Sequence, residues 1–298
     1  MKLIRRHFLP FVTAGVAVLF FLFLSSQGSP AIQEYAGIDQ CGECHDTMVD
    51  AFKRSLHGKK GFESLSNRAC EACHGPGVEH IEEGGDISKI RSFDKLSSQE
   101  KAAVCLQCHE KERSMFWQGS LHETEGLVCQ NCHSIHSPKS GDFLLVETKE
   151  RDLCFSCHQQ KKSQLYRSSR HPIKEGKVNC SDCHNAHGTL TNRLISNDSI
   201  NEKCYECHAE KRGPFLWEHE PVREDCTNCH EPHGSNHPRL LNAKRPFLCQ
   251  RCHSDTRHPG TLYDRSRITS NMLFNRSCTN CHAMIHGSNH PSGRAFVR

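Results

Sequence analysis

One stretch of the chain is apolar almost without interruption, Phe8 to Leu24, within the leader MKLIRRHFLPFVTAGVAVLFFLFLSSQGSPA. Lys2, Arg5 and Arg6 precede it, and the small residues Ser26, Gly28, Ser29 and Ala31 follow. That order is the pattern of an export signal, which we place over residues 1–31. The apolar stretch has 17 residues, just short of the ~20 of a comfortable membrane helix. Cleaved signal and uncleaved N-terminal anchor therefore both stay open, and either puts the body of the chain outside the cytoplasm. No second stretch is apolar enough to span a bilayer as a helix.

Past the leader, helical periodicity shows only in short pieces. Ser97-x-x-Glu100 stands before KAAVCLQCHEKERSMF, and Ser199-x-x-Glu202 before KCYECHAEKR. Both are capping boxes, in which a serine and a glutamate three residues on satisfy each other's free backbone N–H groups. Segments such as CHNAHG and CHEPHGSNHP read as turns. The pattern predicts short helices, much irregular backbone and little or no strand. Gly75 to Leu96, rich in glycine and charge, reads as a surface loop.

Composition makes that reading sharper. Apolar residues are 36% of the chain, but 20 of its 298 residues are cysteines. Without them roughly 29% remains, or about 36% with the 20 glycines added, against ~45–50%, glycine included, in ordinary globular domains. Leucine and valine cannot fill this interior. The net charge is +4, or +1 once Lys2, Arg5 and Arg6 are discounted, and no basic stripe points to nucleic acid.

The cysteines supply the missing material. They form ten C-x-x-C pairs, each followed directly by histidine: Cys41/Cys44/His45, Cys70/Cys73/His74, Cys105/Cys108/His109, Cys129/Cys132/His133 and Cys154/Cys157/His158. The remaining five are Cys180/Cys183/His184, Cys204/Cys207/His208, Cys226/Cys229/His230, Cys249/Cys252/His253 and Cys278/Cys281/His282. C-x-x-C-H is the attachment signature of haem c, two thiols adding to the vinyl groups and the adjacent imidazole reaching the iron. Disulfides or zinc half-sites would not require the histidine. With 23 histidines in 298 residues, ten chance matches have a probability on the order of 10^-11, which leaves the attachment signature. We therefore expect ten covalently attached haems c, one per ~27 residues, forming the core. A twin-arginine reading of RRHFL is set aside, because haem attachment acts on a chain exported unfolded.

A repeat sorts the other histidines. Five units, beginning at Cys41, Cys105, Cys154, Cys204 and Cys249, each read C-x-x-C-H, lone histidine, C-x-x-C-H, lone histidine. The first lone histidines are His57, His122, His171, His219 and His258; the second are His80, His136, His187, His233 and His286. These ten are the expected distal ligands. His136, His187 and His233 lie only three residues from a proximal histidine, and His286 only four, too few to wrap round a porphyrin edge. They are expected to serve neighbouring haems. His237 and His290, from the two HGSNHP copies, are surplus and read as exposed turn histidines, unless one of them replaces His80 or His258. Methionine would raise the potential as an axial ligand, but Met48, Met115, Met272 and Met284 occupy no repeated position.

The phrases CHSIHSPK, CSDCHNAHG, CYECHAEKRGPFLWEH, VREDCTNCHEPHGSNHP and CTNCHAMIHGSNHP resemble the decahaem cytochromes of the DmsE/MtrA type, from about Cys41 to Gly293. The resemblance implies a bis-histidine haem wire in the periplasm, associated with the outer membrane. Its donor would be a quinol-oxidising cytochrome of the inner membrane or a periplasmic one. It would be plugged into an outer-membrane β-barrel and would hand electrons to an extracellular or periplasmic multihaem cytochrome or reductase. Direction of flow stays open. We expect residues 32–298 to form one elongated array. A free periplasmic shuttle is the alternative. A multihaem reductase would need an open iron, yet the histidines cover every distal position and no motif carries lysine for histidine. The reading is an electron carrier with no small-molecule substrate.

Overall fold

The computed structural model describes residues 35–59, 68–253 and 277–297. The leader and His258 lie outside them. The described residues fall into two units, 35–44 with 68–91, and 45–59 with 92–253 and 277–297.

In the first unit the Ile38–Cys44 and Glu71–His74 helices each carry an attachment motif. Glu71 is buried, and its carboxylate accepts hydrogen bonds from the backbone N–H groups of Ala36 (2.9 Å), Gly37 (3.0 Å) and Gly77 (2.7 Å). A carboxylate so placed satisfies three otherwise orphaned donors at once. Residues 75–91, expected as loop, carry a helix at Val78–Glu82 and a 3-10 turn at Ile87–Lys89.

The second unit is a succession of one- to three-turn helices. The first motif of a repeat ends or overlaps a helix: Ser98–His109, Glu150–Phe155, Ile200–Tyr205 and Phe247–Gln250. Ser97 and Glu100 form the expected reciprocal box, with N–H···O distances of 3.3 and 2.8 Å. Ser199 caps its helix by accepting from Glu202 N at 3.1 Å. The second motifs occupy single turns, Cys129–Cys132, Cys180–Asp182, Cys226–Asn228 and Cys278–Asn280. Among the described residues β-structure is confined to isolated bridges, as the sequence predicts. The buried apolar side chains among them are few: Val49, Phe52, Ala69, Ala102, Trp117, Leu144, Leu145, Leu165 and Leu241. That is too little burial to offset the chain's conformational entropy, so the fold needs its cofactors as interior.

Repeats engage each other through a His-Gly step. Gly188, Gly234 and Gly287 each follow a second lone histidine and have φ of +116°, +149° and +139°. A Cβ would lie 2.1 Å from Phe116 O at Gly188, 2.0 Å from Gln164 O at Gly234 and 2.2 Å from the Phe215 ring at Gly287. Each obstacle belongs to the preceding repeat, so only glycine lets the chain approach closely enough. The HGSNHP copies add a bridge beyond the glycine. Ser235 exchanges two backbone hydrogen bonds with Ser169 (3.0 and 2.8 Å), and Ser288 two with Trp217 (3.0 and 2.9 Å). Both serine hydroxyls also accept from the N–H of the histidine two residues on, His237 or His290. The tail thus recurs because it docks one repeat on the last.

Gly234→Ala should destabilise the holoprotein by about 2–3 kcal/mol, the scale of a strained, overpacked site. Gly141, with nothing within 4 Å of its Cβ direction, is the control. Guanidinium unfolding followed at the Soret band measures both variants; equal midpoints would contradict the close approach.

Candidate haem-binding sites

Seven proximal histidines of the second unit each face one lone histidine. The pairs are His57–His109, His122–His158, His133–His187, His171–His208, His184–His233, His219–His253 and His230–His286. Their ring centroids lie between 5.9 and 6.3 Å apart. A metal–imidazole bond of about 2.0 Å on each side, plus the offset from nitrogen to ring centre, sets two trans imidazoles roughly 6 Å apart. The gap therefore fits one iron, and a haem plane around it.

The pairing has a register. A first lone histidine faces the first motif of the next repeat, as His122 faces His158. A second lone histidine faces the second motif of the preceding repeat, as His233 faces His184. His187, His233 and His286 thus face rings other than those of the motifs beside them in sequence. His237 and His290 belong to none of these pairs; His290 is exposed and His237 half-buried. The ring of His136 lies outside these seven pairs too, on an exposed residue.

Hydrogen bonds orient the rings. The proximal Nδ1 of His133, His184 and His230 reaches the carbonyl of Phe143 (2.6 Å), Arg193 (2.8 Å) and Arg239 (2.8 Å). Those carbonyls belong to paired left-handed residues: Phe143 and Leu144, Arg193 and Leu194, Arg239 and Leu240. Non-glycine residues held there cost on the order of 1 kcal/mol each, a local strain that aims the acceptor at the imidazole. His74 and His282 reach Arg91 O (3.2 Å) and Ala295 O (2.5 Å), and His80 reaches Asp86 O (2.8 Å). His45 accepts at its carbonyl from Met48 and Val49 N, starting the Asp46–Arg54 helix. An Nδ1–H given to a carbonyl leaves Nε2 as the lone-pair nitrogen, which is the tautomer a metal needs.

The distal rings are tied the same way. His122, His171 and His219 reach the carbonyls of Ala186 (2.8 Å), Pro232 (2.8 Å) and Ile285 (3.1 Å). Each carbonyl stands one residue before a second lone histidine, so distal side chains serving two different sites share one knot. Burial also pushes the imidazoles of His57, His184, His187, His219, His230 and His233 below their ordinary range, and His286 down to about 4. The neutral, ligating form is favoured.

The cysteines trace the order of the sites. None of the twenty is in a disulfide. The first cysteines of the two motifs in a repeat are in hydrogen-bond contact: Cys41 with Cys70, Cys105 with Cys129, Cys154 with Cys180, Cys204 with Cys226 and Cys249 with Cys278. Between repeats, Cys132 is close enough to feel Cys157, Cys183 to feel Cys207, and Cys229 to feel Cys252. Attachment edges therefore follow one another without a gap from Cys105 to Cys281.

Cys73 lies in the first unit and Cys108 in the second. Cys73 is half-buried at the end of the Glu71–His74 helix. Its carbonyl accepts from Arg91 Nη1 at 2.9 Å, the residue whose own carbonyl meets His74. Cys108 is exposed on the last turn of the Ser98–His109 helix. Glu71 and Arg91 tie the first motif pair to residues 36–37, 73–74 and 77, all within the first unit. Glu150, Cys154 and Cys180 gather their ligating atoms within 4.8 Å. Two of the three are attachment thiols, so the group does not form a separate metal site.

Over 276 residues the chain is 41% identical to the multiheme cytochrome MtrA of Shewanella baltica (strain OS185), covering 88% of this chain and 81% of that protein. The chain belongs to the MtrA family of multihaem cytochromes. It matches the doubled CXXCH motif family over residues 171–213 and 219–258. The NrfB-like family of cytochrome c-type proteins matches residues 70–151, and the cytochrome c554 and c-prime family residues 25–75. As an MtrA-family cytochrome it binds haem c and carries electrons; it is not an enzyme.

Sequence reasoning missed the acceptors. Phe143, Arg193 and Arg239 follow a second-motif histidine by ten, nine and nine residues, opening FLL, RLI and RLL. That recurrence was available as a signal. His233→Ala should convert the haem on Cys180 and Cys183 to high spin and leave the haem on Cys226 and Cys229 low-spin. Site-resolved NMR of the ferric holoprotein checks this; the reverse outcome would contradict the register.

Proposed function

We propose that this chain is a periplasmic ten-haem wire. The twenty motif cysteines, Cys73 and Cys108 among them, attach ten haems c, each closed by its motif histidine and one distal histidine. The distal set is His57, His80, His122, His136, His171, His187, His219, His233, His258 and His286. The observation that carries the reading is the register of facing imidazoles, seven pairs at the iron-spanning distance, joined by attachment cysteines that neighbour one another in sequence order. With both axial positions taken, an iron can only change oxidation state. Electrons then hop between irons held close by covalent edges.

On this reading residues 1–31 export the chain and residues 32–298 form one elongated array. A row of haems can cross the ~30 Å hydrocarbon core of a bilayer, which a compact cluster cannot. The crossing takes place inside a partner, the outer-membrane β-barrel that the resemblance to the DmsE/MtrA-type cytochromes implies. The donor is a quinol-oxidising cytochrome of the inner membrane or a periplasmic one. The acceptor is an extracellular or periplasmic multihaem cytochrome. The relatedness to an MtrA supports the electron-carrier part of this reading. Two propionates per haem add negative charge to a chain of net +4, so docking on basic partner surfaces is favoured.

A tagged chain purified in mild detergent from native envelopes should bring down an outer-membrane barrel in stoichiometric amount, seen by protein and haem staining. Recovery of the haem protein alone from the soluble periplasm would favour a free shuttle instead.

A further inference from the structure

The three second-motif sites of the middle repeats share one backbone plan but differ in charge. At the His133–His187 site, Nδ1 of His187 is buried with no protein acceptor, and the charged side chain acting on it is Arg113. At the His230–His286 site the strongest charge on His286 is Lys211, opposed by Glu210. At the His184–His233 site between them, Nδ1 of His233 lies 3.2 Å from Glu231 Oε1. Only here, among these three, does a carboxylate take the hydrogen of the distal imidazole.

A second carboxylate stands at the attachment edge that this site shares with the Cys154/Cys157 motif. Glu150 lies within 4.8 Å of the Cys154 and Cys180 sulfurs. It is fixed by Ser181, which donates N–H and Oγ–H at 2.7 Å each. At the equivalent place in the next repeat Asp225 likewise accepts the Thr227 N–H and Oγ–H at 2.7 Å each, so the attachment edge does not set this site apart from the one on Cys226 and Cys229. In the last repeat the place is taken by a cation, Arg245, on the Thr279 hydroxyl. Lys161 acts through space on both His184 and His233 and opposes the carboxylates.

Reduction of a bis-imidazole haem takes one electron from ferric to ferrous iron and removes one positive charge from the centre. Negative charge nearby favours the ferric form. A carboxylate accepting the imidazole Nδ1–H also raises ligand basicity, which does the same. We propose that the haem on Cys180 and Cys183 lies lower in potential than its counterparts on Cys129/Cys132 and Cys226/Cys229, set there by Glu231. It is then an uphill step in the middle of the row, and Glu231 is a potential-setting residue rather than a structural one. The inference rests on His184 and His233 being that haem's axial ligands.

Glu231→Gln keeps an acceptor beside His233 but removes the charge. In a redox titration of the holoprotein with low-potential one-electron mediators, this variant should move one component at the low end upward. The expected shift for Glu231→Gln is about tenfold in the one-electron equilibrium, ~59 mV, with the other components unmoved. His233→Ala, followed by electron paramagnetic resonance, identifies the site. If His233→Ala yields one high-spin haem while Glu231→Gln moves no component, the inference is overturned and the ligation stands. If His233→Ala leaves every haem low-spin, the ligation reading itself is overturned, and the inference with it.

Discussion

The rest of the structure depends on the distance between facing imidazoles. A haem iron needs two nitrogens on opposite faces, and a histidine three residues from the first cannot reach round the ring. The second ligand must therefore come from elsewhere in the chain, and here the facing imidazole belongs to an adjacent repeat. That one constraint explains the glycines after His187, His233 and His286, whose missing side chains admit the preceding repeat. It explains the serine bridges at Ser235 and Ser288. It also explains why strained left-handed pairs such as Arg239 and Leu240 are kept: they hold the carbonyl that orients a proximal ring.

Cross-ligation makes stability and conduction aspects of the same geometry. On the proposed ligation each closed iron ties two repeats, as hydrophobic interfaces tie the repeats of an ordinary solenoid. The same ties bring successive attachment edges together, Cys154 beside Cys180 within a repeat and Cys229 near Cys252 between repeats. A chain with so few buried apolar side chains has no independent route to that arrangement. A fixed spacing of irons, rather than a catalytic pocket, is what such a construction provides.

Much of this was legible in the sequence. Ten C-x-x-C-H motifs, the five-fold repeat and the lone histidines follow from residue types and spacing, and short capped helices follow from Ser97 and Ser199. What could not be read was direction. Spacing says that His233 must leave its own haem; it does not say that it turns back to His184 while His171 reaches forward to His208. That choice is made by the His-Gly step and by the carbonyl of Pro232, both of which depend on backbone geometry. The left-handed acceptor turns were hidden for the same reason, since Phe143 and Arg193 are not residues that advertise a positive φ. The HGSNHP tail read as exposed turn chemistry, whereas its serines are buried bridging residues.

The central claim is that every iron is closed by two histidines. Its most direct test combines a pyridine-haemochrome count with quantitative electron paramagnetic resonance of the ferric holoprotein. The expected result is ten haems per chain, all in low-spin bis-imidazole signals, with no carbon monoxide adduct after reduction. A high-spin ferric signal in the intact protein, or carbon monoxide binding to any of its haems, would contradict the account.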